Sequence, residues 1–237
     1  MEDEIRKDLG QHFLIDYNII SKIIESCNVK RNDVVLEFGT GHGLLTKKIA
    51  GIARRVYTYE IDKELYSKAK SFLSSNRNVL IFNQDFFEKE EFDFDFFLSN
   101  LPYARSKEAM KWLSLHQFRE AVIMIQKEFF QKLSAIPGNS NYSVVSVLSQ
   151  YCFDIELLFE VEKNSFVPLP KIDSRVIRLR RKKSTINQQI MTSLEFLFSN
   201  RNKNAASLLN SNKYQNKKIN QLNVETLIQV ANNIIKK

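Results

Sequence analysis

The chain has few of the residues that build disulfide frameworks, metal clusters and frequent turns. Its 237 residues include two cysteines, Cys27 and Cys152, and three histidines at unrelated spacings. The two distant cysteines exclude a disulfide framework and a multi-cysteine metal site, and the histidines form no metal-binding pattern. With six glycines and four prolines, each of these residues is expected to mark a required turn.

Long apolar runs are missing as well. No run approaches the roughly 18 residues of a membrane-spanning helix, and the opening sequence MEDEIRKDLG lacks the apolar stretch of a signal peptide. We therefore expect a cytoplasmic protein that uses no membrane and no metal. Hydrophobic residues make up 43% of the chain and aromatic residues 11%, which is enough for one large domain, or for an ordinary domain with a small appendage.

Positive charge is concentrated in the last third of the chain. Residues 163–237 carry 15 Lys and Arg against 3 Asp and Glu, whereas residues 1–162 carry 20 against 24. This asymmetry indicates that the last third faces a polyanion while the front binds something small. A lysine-rich surface that only keeps the protein soluble explains the composition equally well.

Short apolar segments alternate with segments of helical spacing over the first half of the chain. The predicted strands are residues 34–38, 56–61, 79–82, 94–98 and 121–125. This alternation is typical of an α/β fold with a mostly parallel, Rossmann-like sheet. Residues 142–149 are β-branched and apolar, and residues 153–161 and 176–179 look like further strands. We place a boundary near residue 182, with a sheet domain over 1–182 and a small helical domain over 183–237.

A glycine-rich segment, residues 37–43, follows the first predicted strand. Gly39 and Gly41 let the backbone approach a ligand closely, but a dinucleotide fingerprint would require glycine where Leu44 stands. S-adenosylmethionine fits better than NAD, because it has no pyrophosphate and carries cationic groups that suit Glu37. A glycine-rich turn that binds nothing is the alternative.

Polar residues close the next three predicted strands. Glu60 can accept hydrogen bonds from both ribose hydroxyls, and Asp85 can accept one from an adenine amine; each is alternatively a helix cap. The tetrapeptide Asn100-Leu101-Pro102-Tyr103 is more specific. The Asn100 side-chain oxygen and the Leu101 carbonyl can accept from an exocyclic amine, and Tyr103 can stack on a base. An ordinary Asn-x-Pro turn is the alternative.

Two further motifs are Phe166-Val-Pro-Leu-Pro-Lys-Ile-Asp-Ser174 and Leu9-Gly-Gln-His-Phe-Leu14. Together with the segments above, they resemble the KsgA family of ribosomal RNA adenine N6,N6-dimethyltransferases. That family is related to the erythromycin-resistance rRNA methyltransferases. The resemblance implies an S-adenosylmethionine-dependent enzyme. It would dimethylate two adjacent adenosines in the 3′-terminal hairpin of small-subunit rRNA during ribosome biogenesis, as a monomer acting on the immature small subunit.

The resemblance also assigns roles to residues of this sequence. The cofactor-binding residues would be His12, Leu14, Glu37, Gly39, Gly41, Glu60, Asp85 and Asn100. The catalytic residues would be Asn100, Leu101, Tyr103 and Phe166, although Phe166 is alternatively a core aromatic beside Pro168. The RNA-binding residues would be Arg175, Arg178, Arg180, Arg181, Arg201 and Lys203, with an ordinary charged strand as the alternative for the first four.

The sequence departs from the family pattern at four places. His12 replaces the usual Asn, Ala104-Arg105 is more charged than the family prefers, and Asn202 replaces an Arg. The helical appendage is also short. Two rival functions therefore stay open: a large-subunit rRNA methyltransferase of the antibiotic-resistance type, and a non-catalytic ribosome-assembly factor.

Overall fold

The computed structural model describes residues 12–88, 93–182, 184 and 186–235. Its strands are β1 (Phe13–Leu14), β2 (Val34–Phe38), β3 (Arg55–Tyr59), β4 (Val79–Phe82), β5 (Phe96–Asn100), β6 (Glu120–Gln126), β7 (Phe153–Val161), β8 (Phe166–Val167) and β9 (Ser174–Arg181). Its helices are α1 (Tyr17–Glu25), α2 (Leu44–Ala50), α3 (Lys63–Phe72), α4 (Ser106–Leu115), α5 (Lys127–Leu133), α6 (Val144–Cys152), α7 (Gln188–Ser199), α8 (Ala205–Leu209) and α9 (Val224–Ile235). Residues 9–11 of the N-terminal motif lie outside the described residues.

Seven strands form one sheet in the order β4-β3-β2-β5-β6-β9-β7. The pairs β3–β4, β2–β3, β2–β5 and β5–β6 are parallel, and β9 runs antiparallel to β6. All five residues of β2 are buried, as expected of a central strand whose apolar run is continuous. Because β3 and β5 flank β2 on opposite sides, the chain reverses its direction of travel across the sheet there, which is where α/β sheets bind ligands.

A second, two-stranded sheet pairs β1 with β8, placing Leu14 opposite Phe166. Both side chains belong to an apolar core that also includes Ile20 of α1, Val35 of β2 and Leu98 of β5. Helix α1 begins at Asp16, whose carboxylate accepts from the N–H groups of Asn18 and Ile19. The segment around β1 is thereby fixed beside the carboxyl end of β2.

The chain divides into two compact units. The first contains residues 1–106, 118–127 and 156–180, and the second contains residues 107–117, 128–155 and 181–237. The second unit therefore includes more than the predicted appendage of residues 183–237. In it, Tyr142 packs edge-on against Phe198 of α7 with ring centroids 5.7 Å apart, and its hydroxyl donates to the carbonyl of Leu222.

Residues 142–149, which look strand-like in the sequence, largely form a helix. Helix α6 begins after Ser143, whose capping box with Ser146 satisfies the first turn. Buried Val145 and Val147 account for the β-branched pattern and buried Leu148 adds to its apolar character; they form a helix because tertiary packing outweighs the weak strand preference of valine. Within the described residues, no helix is long and apolar enough to cross a membrane.

Candidate active site

A cavity of about 630 Å³ opens at the carboxyl ends of β2, β3, β4 and β5, a size that suits a small-molecule ligand. All eight predicted cofactor-binding residues line it: His12, Leu14, Glu37, Gly39, Gly41, Glu60, Asp85 and Asn100. Leu101 and Tyr103 line it too. The parallel sheet thus brings together polar groups from four separate strand ends.

The glycine-rich segment forms the floor of this cavity and requires glycine at two positions. Gly39 has φ +86° and Gly41 has φ +54°, in the left-handed region. A Cβ atom on Gly41 would lie 3.3 Å from the ring of Phe13. The N–H groups of Gly39 and Thr40 both donate to the carbonyl of Tyr59 at 3.1 Å, which fastens the segment to the end of β3.

Glu37 lies on the central strand, buried below the glycine segment. Its Oε2 accepts hydrogen bonds from the hydroxyls of Thr46, at 2.6 Å, and Thr58, at 2.7 Å. Burial raises the pKa of the Glu37 carboxyl to about 7, against the lowering effect of the two threonine hydroxyls. Glu37 is therefore partly protonated near neutral pH, and its contacts are with Thr46 and Thr58.

Glu60 joins the glycine segment to α3. One carboxylate oxygen accepts from the Gly41 N–H at 2.9 Å, and the other accepts from the Asp62 N–H at 3.0 Å. Desolvation by burial raises the pKa of Glu60, while these N–H donors lower it. Each oxygen keeps a further acceptor position, so the carboxylate can also receive two ligand hydroxyls.

Asp85 follows β4 and is held by two partners. Its Oδ1 accepts from the Phe87 N–H at 2.9 Å, as in the helix-cap interpretation. It also forms a bidentate ion pair with Arg105, with Nη–Oδ distances of 3.1–3.3 Å. Asp85 lines the cavity as predicted, and Arg105 faces it from the opposite loop.

Asn100, the last residue of β5, carries the most telling hydrogen-bond pattern. Its Nδ2 donates to the carbonyl of His12 at 3.2 Å. Its Oδ1 is buried and has no hydrogen-bond partner among the described residues. Buried acceptors are rarely left so, and Asn100 is one of the residues that line the ligand-sized cavity, which makes its amide oxygen the candidate acceptor for a ligand donor.

Tyr103 lies on the loop after β5 and lines the same cavity. Its hydroxyl shares a 2.7 Å hydrogen bond with Ser174, and its ring centroid is 5.3 Å from that of His12. The His12 Nδ1 is 2.7 Å from the carbonyl of Pro168, so this nitrogen carries the proton. Burial raises the pKa of the Tyr103 hydroxyl, opposed by Ser174, which keeps it neutral at physiological pH.

Phe166 does not line the cavity in this structure, contrary to its predicted place against a target base. Its side chain is 2% exposed and packs in the apolar core with Leu14 and Ile20. The β1–β8 pairing faces the ring inward. This conformation supports the alternative of a core aromatic.

The predicted RNA-binding arginines of β9 are engaged within the protein. Arg178 pairs with Glu120 and Glu156 and donates to the Ser26 carbonyl, leaving its side chain 12% exposed. Arg180 reaches the same two glutamates but is 52% exposed.

The other four basic residues differ in their surroundings. Arg175 pairs with Glu160 and lowers the pKa of that carboxyl. Arg181 donates to the carbonyls at the end of α4. Arg201 donates to the carbonyl of Ser140, and Lys203 is exposed. Phosphate contact by these six residues stays a prediction, with Arg180, Arg201 and Lys203 the most accessible.

Ile61 and Arg105 are two of the cavity residues for which the sequence predicted no role. Ile61 is 60% exposed and lines the cavity directly after Glu60. An isoleucine directly after an acidic residue at a strand end could have been recognised in the sequence as an apolar contact for a flat ligand ring. Arg105 was noticeable only as an unusual charge, because its partner Asp85 is 20 residues away in the chain.

Comparison with known proteins identifies the family. A family model described as ribosomal RNA adenine dimethylase matches residues 2–237. The chain belongs to the ribosomal RNA adenine dimethylase family. This membership confirms the resemblance stated from the motifs.

Members of the ribosomal RNA adenine dimethylase family match over most of the chain. Proteins named ribosomal RNA small subunit methyltransferase A from Mycoplasmopsis pulmonis and Mycoplasmopsis synoviae are 39% and 36% identical to it. The alignments cover 88% and 90% of this chain, and 84% and 85% of the relatives.

Solved structures confirm the predicted Rossmann-like methyltransferase fold. A dimethyladenosine transferase from Plasmodium falciparum superposes with a TM-score of 0.80 at 25% identity, covering 94% of this chain and 98% of that one. The 23S rRNA methyltransferase ErmE gives a TM-score of 0.65, also at 25% identity, with coverage of 93% and 98%.

Proposed function

We propose that this protein transfers methyl groups from S-adenosylmethionine to the N6 amine of adenosine in small-subunit rRNA, two per adenosine. The targets would be the adjacent adenosines of the 3′-terminal hairpin in the immature small subunit, met in the cytoplasm by a monomer of the enzyme. The observation that carries the proposal is the buried Oδ1 of Asn100, which has no hydrogen-bond partner among the described residues and belongs to a residue that lines the same cavity as Glu60, Asp85 and the glycine segment.

The cavity suits the cofactor in its shape and in its charge. The glycine segment lets the methionine part lie against the backbone, Glu60 would accept the ribose hydroxyls, and Asp85 would accept from the adenine amine. Ile61 would pack on the adenine face. The Glu60 carboxylate also favours the cationic groups of the ligand, whereas the charge of Asp85 is paired with Arg105 in this structure. When bound, the cofactor supplies an electrophilic methyl group.

The chain's own contribution to chemistry is to orient the target amine. The N6 lone pair of adenine is shared with the ring, which makes the amine a poor nucleophile. Hydrogen bonds from N6 to the Asn100 Oδ1 and the Leu101 carbonyl would oppose that sharing and direct the lone pair toward the methyl group. The Leu101 N–H already donates to the Met124 carbonyl at 3.2 Å, which holds this loop in place.

The target base must leave its stack to reach this cavity. Tyr103 would hold the extruded adenine by stacking, at a strength of about 1–3 kcal/mol per base. Its ring is fixed in advance by the Ser174 hydrogen bond and by contact with His12. With Phe166 packed in the core, the His12 ring, whose centroid is 5.3 Å from that of Tyr103, is the candidate for the second aromatic contact with the base.

Labelled methyl transfer to isolated immature small subunits, with isolated large-subunit RNA assayed in parallel, tests the proposal. We expect incorporation that ends at two methyl groups on each of two adenosines, with mass spectrometry of rRNA fragments locating both. Incorporation into large-subunit RNA alone would support the antibiotic-resistance type of function instead. Binding of rRNA without any transfer would support the assembly-factor alternative.

A further inference from the structure

Arg105 reaches across the cavity and covers the carboxylate proposed for the cofactor adenine. It ends the short turn Tyr103–Arg105 that follows β5. Its Nη1 lies 3.1 Å from the Asp85 Oδ2, and its Nη2 lies 3.3 Å from Oδ1 and 3.2 Å from Oδ2. The guanidinium also lies over the ring of Phe87, 4.6 Å from its centroid, and 6.0 Å from the centroid of the Phe38 ring, so aromatic contacts as well as the ion pair hold it there.

The hydrogen bonds of Asp85 fill its acceptor positions. A carboxylate has about four lone-pair sites. Oδ1 accepts from the Phe87 N–H and from Nη2 of Arg105, and Oδ2 accepts from both Nη1 and Nη2. An adenine amine would therefore compete with Arg105 for the two Asp85 oxygens, both of which Arg105 contacts.

The Arg105–Asp85 ion pair is strong enough to compete with the cofactor adenine for Asp85, but weak enough for the adenine to displace Arg105. The side chains of Arg105 and Asp85 are 32% and 21% exposed, and partly exposed pairs of this kind contribute modestly because water and salt screen them. The bidentate geometry strengthens the pair relative to a single contact. Arg105 would thus lower the affinity of the site for adenine by a modest amount.

We propose that Arg105 is a latch on the adenine subsite, competing with the cofactor for Asp85 and so lowering cofactor affinity and speeding product release. This inference rests on the proposed function. Each dimethylated adenosine requires a spent cofactor to leave and a fresh one to enter, and product release limits many enzymes. Arg105 closing onto Asp85 as the adenine departs would favour that exchange. The latch belongs to the same turn as Tyr103, two residues from the proposed target-base contact.

Calorimetric binding of S-adenosylhomocysteine to the full chain tests the latch. Arg105→Ala should bind this ligand roughly two- to tenfold more tightly than wild type, the range expected for loss of a partly exposed ion pair. Stopped-flow displacement should show slower dissociation. Arg105→Gln, which keeps the side-chain length but not the charge, should show the same direction of change.

The matched control is Arg119→Ala. Arg119 pairs with Asp33 and Asp95 on the same compact unit, and these three residues are not among those that line the cavity. Its removal makes the same charge change and should leave the affinity for S-adenosylhomocysteine unchanged. Tighter binding in both variants would mean that net charge alone sets affinity, and would overturn the latch.

A second ligand separates competition for Asp85 from simple crowding. An S-adenosylhomocysteine analogue with hydrogen in place of the adenine amino group has no donor for Asp85. Arg105→Ala should therefore not tighten its binding. Equal tightening of both ligands, unchanged affinity for both, or weaker binding of S-adenosylhomocysteine would overturn the latch while leaving the proposed function intact. If neither wild type nor any variant bound S-adenosylhomocysteine, the cofactor assignment itself would fall.

Discussion

The side-chain amide of Asn100 donates from Nδ2 to the main-chain carbonyl of His12 at 3.2 Å. This one contact joins the end of β5 to the segment before β1 and fixes which way the amide faces. With Nδ2 engaged, Oδ1 is left as the buried acceptor. The orientation of the proposed catalytic amide is therefore set by the backbone at His12, whatever side chain residue 12 carries.

Asn100→Ala should reduce single-turnover methyl transfer by on the order of a hundredfold, as removal of a preorganised polar group does elsewhere. RNA affinity should stay close to wild type, because the predicted phosphate contacts lie elsewhere in the chain. Rapid-quench assays with saturating labelled cofactor measure the rate, and filter binding measures the affinity. A single-turnover rate near that of wild type would remove Asn100 from its role in orienting N6.

Glu60→Gln should weaken S-adenosylmethionine binding nearly as much as Glu60→Ala. The Glu60 oxygens accept from the N–H groups of Gly41 and Asp62, and an amide NH₂ placed at either position would face another donor. Removal of two charge-assisted ribose hydrogen bonds, at roughly 1.5–3 kcal/mol each, gives an expected decrease of a few kcal/mol in binding free energy in the alanine variant.

The control for this test is Glu64→Gln. Glu64 is an exposed residue on α3 that pairs with Lys68, close in sequence but outside the cavity. Its affinity for S-adenosylmethionine should match wild type by calorimetry. Unchanged affinity in the Glu60 variants would exclude Glu60 from the cofactor site.

Much of the candidate site could be predicted because strand ends of a parallel sheet converge. Glu60, Asp85 and Asn100 are far apart in the chain, yet each follows or ends an apolar run, and the alternation of elements was enough to bring them together. For Asp85, the alternative role as a helix cap proves compatible with the site, whereas the helix after Glu60 is capped by Asp62. Asp85 accepts from the Phe87 N–H and still lines the cavity.

What the sequence did not reveal depends on pairing between distant side chains. Arg178 adds to the positive charge counted in the last third of the chain, but in the structure it pairs with Glu120 and Glu156, which belong to other strands. Phe166 carries a family motif, yet the β1–β8 register turns its ring into the core. No local pattern specifies such partners, because they follow from sheet order and register.

Glu37→Gln should alter the pH dependence of stability. The folded-state pKa of Glu37, about 7, lies above its ordinary value of 4.5 because the carboxyl is buried. Between these values the folded chain holds a proton that the unfolded chain has released. The contribution of Glu37 to the free energy of unfolding is thus fully present below pH 4.5 and is lost as pH rises toward 7.

Glutamine removes that titration while keeping an oxygen that can accept from the hydroxyls of Thr46 and Thr58. Urea unfolding of both proteins from pH 4.5 to 8 measures the effect. The stability of wild type relative to Glu37→Gln should fall across this window and level off above pH 7. A difference that stays constant with pH would contradict the raised pKa.

Arg178→Ala and the double variant Arg201→Ala/Lys203→Ala should behave in opposite ways. Removing Arg178 leaves the 6%-exposed Glu120 carboxylate with one fewer partner, and breaking such a buried pair lowers stability by on the order of a few kcal/mol. Because Arg178 is itself only 12% exposed, the salt dependence of RNA binding should change little.

The double variant should leave thermal stability near wild type and flatten the salt dependence of RNA binding. Removing one phosphate-binding cation lowers the slope of log affinity against log salt by roughly 0.7–0.9. Arg201 is partly exposed and Lys203 is exposed, and both belong to the second compact unit. A phosphate can reach them there without breaking an internal ion pair. An unchanged slope in the double variant, with a flattened slope in Arg178→Ala, would move the RNA-binding surface to β9. Unchanged slopes in both would remove Arg178, Arg201 and Lys203 from the RNA-binding surface, because phosphate binding by any of these three residues must appear in the slope.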